Sequence, residues 1–169
     1  MEGLEKIKQQ MQKEKKMRCR DFEFDVNYFD KDGKIKVDLF SDIAEDIVKK
    51  CIKFINKDDK EKKRKLSINQ MRKFYDEILS YQIQIENSEN KLEKFRELLP
   101  YIKMEKAKAN IAYQKKNINT NFKKFIDLNI DYIVDGYDKD LELSLKKFNV
   151  FVSLFEAVIA YSKGVIKEN

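Results

Sequence analysis

FNVFVSLFEAVIAYSK, residues 148–163, carries apolar side chains around most of a helical circumference. Phe148, Phe151, Phe155 and Val158 form one stripe, and Val150, Leu154, Ala157 and Tyr161 form a second. A helix apolar on so many sides is packed by neighbours on several sides, so this stretch is expected to be the central core helix of a helical protein. Between Lys147 and Lys163 the one charged residue is Glu156. A carboxylate buried there needs a cationic or hydrogen-bonding partner, because leaving it unpaired is costly. The run is too short for a membrane span, and Asn149, Ser153 and Glu156 interrupt it.

The rest of the composition agrees with a helical core. The chain has 169 residues, enough for one domain with a sizeable interior, and only four Gly, one Pro and no Trp beside 39% charged residues. That balance suits long helices. Histidine is absent, which removes Ser-His and Cys-His nucleophile pairs, imidazole bases and His-containing zinc sites. Cys19 and Cys51 are far apart and match no metal or redox spacing; Cys51 falls on an apolar stripe and is expected to be a small buried hydrophobe. Met1 leads into a Glu/Lys/Gln-rich stretch with no apolar run of signal type, so the cytoplasm is the expected compartment. A net charge of +6 favours a polyanionic partner if it is concentrated on one surface.

Outward from that helix, the chain divides into an N-terminal arm, 1–36, and a helical bundle domain, 37–169. Residues 2–20 read as a frayed helix or a mobile arm. Phe22, Phe24, Val26 and Tyr28 then alternate with polar residues, the turn DKDG follows at 30–33, and Ile35 and Val37 continue the alternation. Either a small hairpin or an extended segment pinned to the bundle fits. The turn echoes a calcium loop, but Tyr28 and Leu39 stand where the first and last carboxylate ligands are required, so no metal is expected.

Leu39, Ile43, Ile47, Cys51 and Ile55 mark an amphipathic helix starting near Asp38, and KDDKEKKRK (57–65) reads as a charged linker. Ser67 and Gln70 make a capping-box start. Met71, Phe74, Ile78, Tyr81, Ile85, Leu92, Phe95 and Leu99 follow with heptad-like spacing, as one helix or as two broken near Asn87–Asn90. Pro100 marks a boundary before a helix over about 101–117, in which Met104, Ala107, Ile111 and Ile118 share a face opposite Lys103 and Lys106. NINTN (117–121) opens a helix with Phe122, Phe125, Ile126, Ile130 and Ile133 inward and an acidic ladder, Asp127, Asp131 and Asp135, outside. Gly136 ends it, and Asp138 or Asp140 starts the last helix. The expected fold is all-α, a bundle of about five helices.

Charge is segregated along the chain. Residues 91–124 hold ten cations against three acids, a net +7, and residues 127–142 hold six acids against one cation, a net −5. The basic segment suits a phosphate backbone, and the acidic one suits a basic neighbour or a second copy.

Three stretches, in order, resemble the small subunit of the type III-A CRISPR effector (Csm) complex: LSINQMRKFYDEI (66–78), KAKANIAYQKK (106–116) and FEAVIAYSK (155–163). The resemblance covers roughly residues 38–165. It implies a non-catalytic helical subunit in antiviral defence, stacked in several copies beside the backbone and large subunits. Such a subunit holds the guide RNA and target RNA backbone without reading sequence. The contacts it carries over are Arg72, Lys108 ahead of Tyr113, and Lys115 and Lys116 after it. An arginine often found four after that tyrosine is replaced here by Asn117. The helical projection adds Lys103 and Lys106. Arg72 has a second reading, as the ion-pair partner of Glu156. No cofactor is expected. The competing reading is a helical adaptor that binds protein through the heptad face. A carboxylate enzyme and a peripheral membrane protein fit less well, since no phosphate-cradling loop, nucleophile–base pair or apolar rim is visible.

Overall fold

The computed structural model describes residues 2–3, 16–19 and 22–169. Its most widely contacted helix carries the stretch quoted first. That stretch is the C-terminal part of the helix Leu141–Ser162 (α6), which packs against four others: residues 39–52 (α1), Ile68–Glu86 (α3), Lys91–Gln114 (α4) and Thr120–Val134 (α5). A short helix, Lys57–Lys62 (α2), completes the six that lie between residues 39 and 162, and Lys16–Cys19 (β1) pairs antiparallel with Phe22–Asp25 (β2). The protein is a mostly α-helical bundle with one two-stranded ribbon.

The interior is aromatic. Phe122 and Phe125 of α5 meet Phe151 and Phe155 of α6, with Phe125 and Phe155 edge to face at 5.4 Å between centroids. Phe95 of α4 approaches Phe148 at 5.8 Å. All five residues expected inward on α5 are fully buried. Glu156 is not: it is exposed, on a narrow solvent-facing stripe with Ser153 and Ala160. The small and polar residues at three-and-four spacing mark that stripe, and the expectation of a buried acid in α6 is corrected accordingly.

Helix starts follow the local chemistry closely. Asn56, Ser67, Asn90, Asn119 and Asp140 each accept the backbone N–H three residues on, so five of the six helices open on a side-chain cap. Such caps contribute about 1 kcal/mol each. Asp140, rather than Asp138, starts α6, and Gly136 takes the left-handed φ of +76° just past α5. In α1 the apolar series repeats every four residues, which drifts about 40° per step on a regular 3.6-residue turn. The helix winds as π over Leu39–Ile43 and again over Val48–Ile52, and the wider turns keep Leu39, Ile47 and Cys51 facing inward.

Six further expectations are corrected or resolved. Residues 67–99 split into α3 and α4 at 87–90. Pro100 lies inside α4 rather than at its start, because Phe95, Leu98, Leu99 and Ile102 are buried on both sides of it and hold the helix through the proline. Residues 57–65, read as a linker, contain α2, whose Asp59 is fully buried. Residues 16–19, read as part of a frayed helix or arm, form β1, while 4–15 and 20 of that expectation lie outside the described residues. The DKDG turn closes on Asp30, whose carboxylate accepts the N–H groups of Asp32 and Lys34, and Phe29 bridges to Ile35. Cys19 and Cys51, unrelated by spacing, are joined as a disulfide between β1 and α1, with Cα atoms 5.2 Å apart.

Polar residues at 119–121 tie the bundle together. Asn119 Nδ2 donates to the Ile52 carbonyl at 2.8 Å and Asn121 Nδ2 to that of Cys51 at 3.0 Å, which satisfies the open C-terminal end of α1. The buried Asp59 carboxylate accepts from the Thr120 N–H and hydroxyl at the start of α5. A negative group at a helix N-terminus is stabilised by the helix dipole and by the free amides there.

Candidate nucleic-acid interface

α3 and α4 form an antiparallel hairpin, so the start of α3 lies beside the end of α4. Between them is a recess of about 220 Å³ lined by Gln70, Lys73, Phe74 and Glu77 from α3 and Lys108, Ile111, Ala112, Lys115 and Asn117 from the other side. A second, open recess of about 590 Å³ shares Gln70 and Lys73 and adds Ser67, Asn69, Arg72, Asp76 and Asn169. The α3 start that supplies both is anchored by its cap and by the C-terminal tail, whose Lys167 and Glu168 carbonyls accept the Ile68 and Asn69 N–H groups. Together the two recesses make a groove with cations Arg72, Lys73, Lys108 and Lys115 and acids Asp76 and Glu77.

Deeper in the hairpin sits a polar cluster. Glu105 of α4 is fully buried; its Oε1 accepts from the Tyr81 hydroxyl at 3.4 Å and lies 3.3 Å from the Lys108 ammonium. Its Oε2 has no hydrogen-bond partner among the described residues. Lys108 is pulled outward, because it also bonds to Glu77. Burial therefore dominates over the Tyr81 hydrogen bond and pushes the Glu105 carboxyl up to about 7. Burial, with the Glu105 charge and hydrogen bond next in order, pushes the Tyr81 hydroxyl up to about 12.

The sequence-derived contacts separate in space. Lys108 and Lys115 line the first recess and Arg72 the second. Lys116 follows the Lys115 cap, two residues past α4's end, with a left-handed φ of +66° and is exposed. Lys103 is exposed on another face of α4, and Lys106 points to α5, where it bonds to Asp131 at 2.5 Å. The acidic ladder is thus partly neutralised from within: Lys123 holds Asp127 at 2.6 Å. Arg72 and Glu156 form no ion pair among the described residues, and an exposed Glu156 has no need of one. Met104 and Ile111, expected to share a face with Ile118, are 44% and 53% exposed while Ile118 is buried, so that stripe of α4 faces solvent.

Four participants were missed in the sequence. Lys73 and Gln70 lie beside Arg72 on the exposed side of α3, and the helical period alone could have found them. Glu105 occupies the inward stripe Leu98–Ile102–Glu105–Ala109, a polar residue at a core position. Asp59 was hidden by the charges around it.

The heptad face of α3 is spent on the core: Met71, Phe74, Ile78, Tyr81 and Ile85 are all buried. Among the described residues no helix is long and apolar enough to cross a membrane, and no three His, Cys, Asp or Glu gather as a metal site. Comparison with curated proteins and with solved structures returned no match. A family model described as Csm2 Type III-A, however, matches residues 42–168, which takes in every helix from α2 to α6, most of α1 and all of the groove's lining but Asn169. With three quarters of its length so matched, the chain belongs to the Csm2 Type III-A family and is a subunit of the type III-A CRISPR complex.

Proposed function

We propose that this subunit is non-catalytic and holds the phosphodiester backbone of guide and target RNA along the α3–α4 groove, stacking in several copies beside the other subunits. The observation that carries the reading is that Arg72 and Lys73 of α3 and Lys115 at the end of α4, none in an ion pair among the described residues, line two recesses that share Gln70 and Lys73, while Lys108 is held by Glu77 and Glu105. These are charges without a shaped pocket for a base edge, which suits backbone holding rather than sequence readout. Ile111 and Phe74 form an apolar floor beneath them. Lys103 and Lys116 are exposed cations that add to the field, whereas Lys106 is engaged with Asp131. The adaptor reading loses its surface, because the heptad face is interior.

The test is binding of the purified protein to single-stranded and guide-paired RNA across a salt series. A variant carrying Arg72→Ala, Lys73→Ala and Lys115→Ala is measured in parallel. The expected result is affinity that does not depend on sequence and falls with salt. The slope should be shallower in the variant by about 2 units of log K per log salt, at about 0.7 per lost phosphate contact on a single strand. Binding that ignores salt, or is absent, defeats the reading.

A further inference from the structure

Residues 62–65 and 115–116 are fifty positions apart in sequence and adjacent in space: the Lys65 N–H donates to the Lys116 carbonyl at 3.1 Å. Each segment runs off a helix end through a left-handed residue, Lys63 at φ +57° and Lys116 at φ +66°. The result is a corner that presents Lys62, Lys63, Lys65, Lys115 and Lys116, all exposed and none in an ion pair among the described residues. The nearest acids of α2 are already engaged. Arg64 bonds to Asp58 at 2.5 Å and to Asp59 at 3.4 Å, and its guanidinium lies 3.7 Å from the centre of the Tyr113 ring, which clamps the corner to α4. Glu61 is the remaining exposed acid of that helix.

A cation in the last turn offsets a helix dipole, and one at each end is enough for that. Five exceed the need. The cluster is entirely lysine, a residue depleted at protein–protein interfaces and suited as a point charge to phosphate. Lys115 belongs both to the corner and to the groove, so the two surfaces are continuous. We infer that this corner is a second phosphate-contacting surface, over which an RNA backbone leaving the α3–α4 groove continues towards the end of α2. The inference rests on the RNA reading above and adds contacts that no stretch of the basic segment 91–124 contains.

The experiment adds a corner variant, Lys62→Gln, Lys63→Asn and Lys65→Gln, to the salt series with a single-stranded RNA oligonucleotide. Asn is chosen because it tolerates the left-handed backbone at position 63. The expected result is a log–log slope shallower than the wild type by about 2, with unchanged thermal unfolding. Acylation of the wild-type lysines, read by mass spectrometry, should show Lys62, Lys63 and Lys65 protected when the RNA is bound. If the wild type binds and the groove variant weakens, while the corner variant matches the wild type and those lysines react equally with and without RNA, the corner is a bystander. In that case the groove reading stands. A wild type with no salt-dependent affinity overturns both together.

Discussion

Asp59 and Glu105 are both fully buried, and the chain treats them differently. Asp59 accepts from two groups of Thr120, from the Asn56 N–H and from Arg64, so its charge is satisfied. Glu105 has a tyrosine hydroxyl and a lysine shared with Glu77, and one oxygen with nothing. Its carboxyl rises from 4.5 to about 7, so the folded protein holds a proton that the unfolded chain releases. The contribution is therefore fully present below about pH 4.5 and is lost as pH rises through about 7. Glu105→Gln, which keeps the shape and removes the ionisation, should flatten that dependence. At pH 8 the variant is expected to be more stable than the wild type by on the order of 1–3 kcal/mol, the difference vanishing towards pH 5. Urea unfolding at pH 5 and pH 8 reads this directly. A gap that stays constant across the range would mean that the carboxyl is ionised in the folded protein throughout.

At the level of elements, the starts of helices were far more legible than their ends. Ser67, Asn119 and Asp140 mark three starts by a side chain that accepts an amide, a rule local to four residues. The continuation of α4 through Pro100 depends on burial supplied by other helices, and no local rule contains that. The proline has no N–H to return to the Arg96 carbonyl, which costs a helix interior about 3 kcal/mol. Because Pro100 itself is exposed, replacing it sacrifices no packing. Pro100→Ala should restore the bond and raise the unfolding free energy by about 1–2 kcal/mol, once the roughly 1 kcal/mol by which alanine loosens the unfolded chain is subtracted. A destabilised variant in denaturant titration would show that the proline fits a bend which the rest of α4 needs. For α2 the sequence was misleading in the other direction: all nine residues from 57 to 65 are charged and look solvated, yet Asn56 and Asp59 form a reciprocal cap that only a folded partner, Thr120, can bury.

Across the whole molecule the core was legible because periodicity reports burial: every residue of the opening stretch expected on its first stripe is buried. The charged surface was less so, since a count along the chain cannot say which charges meet. The +7 and −5 segments read as two separate faces, but α4 and α5 pack side by side and let Lys106 close on Asp131. A lysine so placed gives up part of its field to an intramolecular carboxylate. Lys115, on the groove and without such a pair among the described residues, keeps its charge for a ligand. The two single variants therefore separate a charge that is merely near in sequence from one that faces the groove. Lys115→Ala should weaken RNA binding about 4-fold at 150 mM salt, the loss expected for one phosphate contact on a single strand. Lys106→Ala should change it by less than about 2-fold, because the Asp131 it releases repels phosphate only across the width of a helix through screening solvent. Equal losses for both would mean that RNA is attracted by the summed charge of the segment rather than by the groove, and a larger loss for Lys106 would move the RNA path to the α4–α5 side.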